Sequence, residues 1–263
     1  MYWDDPQLDD SEDRKNLDML LDEGLEPEQR ILPLERLLDS RSIVAQGIAI
    51  NWYSNDQMSG RWGATPPSSP LRDKVARRIR EHLAAPPHWI DHPADGRVAM
   101  NHASALAALR WVVVPRDAAL IAKVAEHASD AWTKASLVMG AKACMNACQS
   151  SKQEPSEGDV QVLQRVLHGL AADEQLDPET REEAILQLSA SAAEVRELLA
   201  RLLEQPAVDL AAAAALSLMR THFNEYRSRV AELLEEWKYQ SSSTVAMARR
   251  VYDRMAEEQA AGH

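Results

Sequence analysis

Cysteine is nearly absent from this 263-residue chain: Cys144 and Cys148 are its two copies. Two cysteines make no disulfide framework and fit a reducing, cytoplasmic setting. The nine glycines are scattered singly, so there is no Gly-rich phosphate loop, and neither G-x-S-x-G nor H-E-x-x-H occurs. No stretch approaches the 18 or so consecutive apolar residues of a membrane span. The opening "MYWDDPQLDDSEDRKNLDML" has neither the basic start nor the apolar run of a signal peptide. Basic excess is missing as well: the formal charge is −12, and residues 1–30 carry 11 Asp or Glu against 3 Lys or Arg. Such a balance argues against phosphate backbones as partners and in favour of a basic protein.

Phe223 is the lone phenylalanine, and β-branched residues cluster only in "WVVV" at Trp111 to Val114. What fills the chain instead is Ala and Leu, which favour close-packed helices over pleated sheet. From about Leu25, apolar-periodic segments of helical length alternate with short polar or Pro-containing breaks, and no segment reads convincingly as a strand. "DAALIAKVAEHA" is followed by the more apolar "SDAWTKASLVMGAKACMNAC". The couplet returns as "DVQVLQRVLHGLA" with "PETREEAILQLSASA", as "AAEVRELLARLLEQ" with "AVDLAAAAALSLMRTHF", and as "YRSRVAELLEEW" with "SSSTVAMARRVYDRMAEE". The first helices begin at Asp117, Asp159, Ala193 and Tyr226, spacings of 42, 34 and 33 residues. Two looser pairs precede them, "PEQRILPLERLLDS" with "SIVAQGIAINWYS" and "PLRDKVARRIREHLAA" with "GRVAMNHASALAALRWVVV". A period of this size means stacked helical hairpins. Second helices that are apolar around most of their circumference need cover on several sides, which stacking provides.

With a basic residue early in the second helix, Lys134 in "WTKASLVMGA" and Arg181 in "ETREEAILQL", ahead of a small or apolar run, the chain resembles the HEAT-like repeat proteins, in particular their short bacterial members. That resemblance implies an all-α fold, a right-handed α-solenoid of about six antiparallel helix pairs. It divides the chain into a 1–24 acidic arm or capping segment, a 25–258 solenoid and a 259–263 tail. Scaffolds, toxin-neutralising proteins, bilin lyases and a DNA glycosylase branch share the architecture, so it implies no one activity. The glycosylase branch needs a basic concave face and a carboxylate within it. In this chain basic and acidic residues interleave, as in "EVRELLARLLEQ", and no family site residue carries across.

Three places could carry chemistry. After the greasy helix "GIAINWYS", the stretch "SNDQMSGRWGATPPSSP" reads as a long connection, and long connections in compact α domains are functional or disordered. Tyr53, Asn55, Asp56, Arg61 and Trp62 offer contact area and hydrogen bonding there, either to a partner or as a staple onto the next repeat. "APPHWIDHPADG" reads as a Pro-broken loop that adds Trp89. Its His88 and His92, with His102 beyond, are nitrogen donors without a convincing zinc spacing, and His102 sits on a buried face. Cys144 and Cys148, four apart on one helical face, read as small buried hydrophobes. The two loops join different kinds of turn and should lie at opposite edges of a stack. The expectation is a non-enzymatic protein-binding module without cofactor, metal or membrane, engaging a partly basic partner. The alternative is a lyase or DNA glycosylase on the same scaffold.

Overall fold

The computed structural model describes residues 8, 11–22, 24–59, 69–92, 96–150 and 157–261. Expectations placed on Arg61 and Trp62, on residues 1–7, 9–10 and 23 of the acidic start, and on 262–263 of the tail lie outside them. The described chain is predominantly helical, with twelve α-helices and one short two-stranded sheet. It forms two compact units, Met1–Leu163 and Gln164–His263. No helix among the described residues is long and apolar enough to cross a membrane.

The first unit holds α1 (Ser11–Leu21), α2 (Pro27–Leu38), α3 (Ile43–Ser59), α4 (Ser69–Ala84), α5 (Met100–Leu109), α6 (Ala118–Ala125) and α7 (Ala131–Ser150). Their starts follow capping chemistry. Pro27 opens α2, where its missing N–H costs nothing, and the Glu26 N–H donates to Gln29 Oε1 at 2.9 Å. Ser42 Oγ accepts from the Ala45 N–H at 3.2 Å before α3, and Asp130 Oδ1 from the Thr133 N–H at 2.7 Å before α7. α1 packs on α2 with Leu17 and Leu20 inward.

Packing beyond that runs in two series. α2 touches α4 and α4 touches α6, while α3 touches α5 and α5 touches α7; the pairs α2 with α3, α4 with α5 and α6 with α7 also touch. Having neighbours on so many sides, α5 buries nine of its ten residues. Small residues permit the close approach. A Cβ on Gly47 of α3 would lie 2.8 Å from Met100 Cε, and one on Gly140 of α7 would lie 3.0 Å from Leu106 Cδ2.

Two details depart from the expectation of helices and loops alone. "APPHWIDHPADG" is not simply a Pro-broken loop: β1 (Trp89–His92) pairs antiparallel with β2 (Gly96–Ala99). Gly96 sits at φ +70°, a conformation that costs any residue with a Cβ. Also, α3 runs on to Ser59, so Asn55 and Asp56 are helical rather than part of the connection.

α8 (Glu157–Ala172) carries the division between the units. The second unit continues with α9 (Pro178–Leu186), α10 (Ala193–Leu203), α11 (Val208–Glu236) and α12 (Ser243–Ala261). α11 packs against α9, α10 and α12, and its residues 210–219 are all buried. The segments "AVDLAAAAALSLMRTHF" and "YRSRVAELLEEW", expected as separate helices, are two helices that meet within α11 at a kink, where His222 leaves helical geometry (φ −134°, ψ 36°). Arg196 donates to His222 Nε2 at 2.8 Å, and Thr221 Oγ1 lies 2.8 Å from Nδ1. No proline lies at the break, and these contacts engage both ring nitrogens of His222.

Candidate functional site

The first expected site divides when its residues are placed. Tyr53 is 2% exposed, which corrects its reading as a contact residue: the side chain is core. Burial raises its phenol pKa, with Arg72 acting in the opposite direction. Asn55 is exposed on the same helix. Around them the side chains staple elements together. Trp111 Nε1 donates to Ser54 Oγ at 3.2 Å, Arg72 donates to the Trp111 carbonyl at 3.2 Å, and the Arg110 guanidinium sits 4.9 Å over the Trp111 ring. These bonds tie the end of α3 and the start of α4 to the residues after α5.

The second expected site is better formed than the sequence suggested. Trp89 faces Ala99, Ile90 faces Val98, Asp91 faces Arg97 and His92 faces Gly96. The Met100 N–H donates to the His88 carbonyl at 3.0 Å, which fixes the phase of the ladder. Asn101, wholly buried, holds the approach to the hairpin: its Nδ2 donates to the carbonyls of His82 and Pro86, both at 3.1 Å, and its Oδ1 accepts from the His88 N–H at 2.7 Å. The outer edge of β2 is covered by α7, whose capping residue Asp130 also accepts from the Ala99 N–H at 3.4 Å. His92 meets the Trp132 ring edge-on at 5.4 Å. Trp89 is half-buried with the Arg97 guanidinium 4.9 Å over its ring, a cation–π contact.

Trp89 stands beside the start of α5 and Trp111 just past its end. A ten-residue helix rises about 15 Å, so the two clusters are separate sites.

Several buried titratable groups with shifted pKa values are engaged in holding the fold. His82 is 4% exposed, and burial lowers it to about 4; its Nε2 lies 2.8 Å from Gln46 Oε1, and Gln46 Nε2 donates to the Ser40 carbonyl at 2.6 Å. Burial also lowers His102, whose Nε2 lies 2.9 Å from the Ala85 carbonyl. The Cys144 thiol is pushed up to about 12 by burial and points at the Val114 and Pro115 carbonyls at 3.6 and 3.5 Å. Asp117, 1% exposed, takes a bidentate pair from Arg80 Nε and an Nη at 2.7 and 2.9 Å and caps the turn before α6 through the Val114 N–H at 2.9 Å. Its hydrogen bond raises the Arg80 pKa. Among the described residues, no group of three or more His, Cys, Asp or Glu side chains is placed to hold a metal ion.

Sequence reasoning missed Asn101 and the double use of Asp130. "SDAW" carries the signature of an Asp before a helix, so the cap at Asp130 was readable. Asn101 left a fainter sign, a polar residue inside the apolar helix "MNHASALAAL". Comparison with protein-family models, with curated proteins and with solved structures finds no match to this chain.

Proposed function

We propose that the chain is a HEAT-like α-solenoid that works as a non-enzymatic protein-binding module, with a partner whose contact surface is partly basic. The observation that carries this reading is the double series of helix contacts in the first unit, α2–α4–α6 beside α3–α5–α7. Stacked hairpins with that neighbour pattern make extended surfaces suited to proteins rather than enclosed pockets suited to small molecules. The shifted histidines, cysteine and Arg80–Asp117 pair support it further, since each already serves a structural bond. A formal charge of −12 sets the sign of the field that a partner meets.

Affinity capture tests the reading. Immobilised protein is expected to retain a specific protein from a native extract at low salt and release it as ionic strength rises. Retention of nothing specific, or tight binding of lesion-containing duplex DNA at physiological salt, would overturn it.

A further inference from the structure

Among the described residues, the hairpin between α4 and α5 has one covered edge and one open edge. Because the Met100 N–H bonds the His88 carbonyl across the Trp89–Ala99 pair, Trp89 and Ala99 are a non-hydrogen-bonded pair, and so are Asp91 and Arg97 two residues on. The backbone groups of those four residues therefore point away from the ladder. On the β2 side the consequence is visible, where the Ala99 N–H is taken up by Asp130. On the β1 side, the outward N–H and C=O of Trp89 and Asp91 meet no partner among the described residues. Two donors and two acceptors at a two-residue spacing match the backbone of an extended chain.

We infer that the open edge of β1 is a strand-addition site for an extended, Lys- or Arg-bearing segment of a protein partner, running antiparallel to Trp89–His92. This rests on the protein-binding reading above and names its site. Side chains supply the chemical class. Asp91 is exposed and has no cation within ion-pair distance among the described residues, since the Arg97 opposite it stacks on Trp89 instead. A basic residue on the added strand beside Asp91 completes a row whose charges alternate, partner cation, Asp91 carboxylate, Arg97 guanidinium, the favourable order for cross-strand neighbours. Two residues further along, the partner side chain lies beside Trp89, where a β-branched or aromatic residue pairs well. A second copy of this chain is disfavoured by its own charge of −12. Backbone pairing supplies affinity in this mode, and alternate side chains supply selectivity.

The probe is the peptide acetyl-Ser-Thr-Lys-Thr-Val-Thr-Ser-amide, in which Lys falls opposite Asp91 and Val opposite Trp89. Amide resonances of the 263-residue chain are followed by NMR as the peptide is added. The expected result is a saturable shift of the Trp89 and Asp91 amides. The peptide with Glu in place of Lys binds about fivefold more weakly, since an exposed attraction becomes a repulsion. The peptide N-methylated at its Lys and Val amides produces no shift. Asp91→Lys, at an exposed position, keeps the melting temperature and reverses the preference between the Lys and Glu peptides. No shift at the two amides, equal binding of the N-methylated peptide, or shifts that depend on protein concentration without any peptide would each overturn the proposal; the last would assign the edge to a second copy. If Asp91→Lys retains the same captured partner with the same salt release, the edge is not the site while the protein-binding reading stands. If the wild-type chain captures nothing, that reading fails independently.

Discussion

His82 stays neutral in the fold because burial penalises its charged form, and its ordinary value of 6.5 falls to about 4. Between those values the unfolded chain binds a proton that the folded chain refuses, so stability rises with pH there and falls as pH drops through 6.5 toward 4. Thermal melts between pH 7 and pH 5 should show this loss, with a slope approaching about 1.4 kcal/mol per pH unit, and His82→Gln should flatten it. Asp117 acts in another way. Replacing it by Ala leaves the Arg80 guanidinium facing a buried gap and uncaps the Val114 N–H, so Asp117→Ala should lower unfolding free energy by about 3 kcal/mol in urea titrations. At this scale the sequence was unevenly legible. Asp177 before "PET" announces its cap on the Thr180 N–H, realised at 2.8 Å, and that bond lowers its pKa. The Arg80 partner of Asp117 stands 37 residues away and the partners of Asn101 13–19 residues away, which no local pattern reveals.

Elements were read well where periodicity is long and poorly where it is short. The amphipathic stripes of α4, α8 and α10 give their helices directly. The hairpin escaped because each strand has four residues and prolines precede β1, although Asp95-Gly96 between apolar runs was a turn signal. The end of α3 escaped for the opposite reason: after Tyr53 the apolar stripe stops while the helix does not. Of the expected contact residues, Tyr53 at the helix end is therefore a core side chain, and Asn55 and Asp56, assigned to the connection, occupy helical positions. The hairpin's return depends on Gly96, where a Cβ would meet nothing within 4 Å, so only backbone strain opposes substitution. Gly96→Ala should cost about 1 kcal/mol of unfolding free energy and weaken peptide capture at β1 in parallel.

Across the whole molecule, composition fixed the helical class, whereas the boundary between the two compact units inside α8 left no mark in the sequence. Net charge vanishes near pH 5.2, within the range where His82 already withdraws stability. Light scattering should accordingly show self-association peaking near that pH and receding on either side; a profile that is flat through it would break this link between charge and solubility. The alanine-rich packing has a further consequence for how the chain can change. Residues 211–215 of α11 are five consecutive alanines without exposed surface, more than one full helical turn. Alanine scanning is blind along this stretch, because every position is already the truncated residue. Enlargement alone can report on it, and each added methylene must displace a neighbour on whichever side it points. That run therefore admits only the smallest side chains, whatever the exposed surface tolerates.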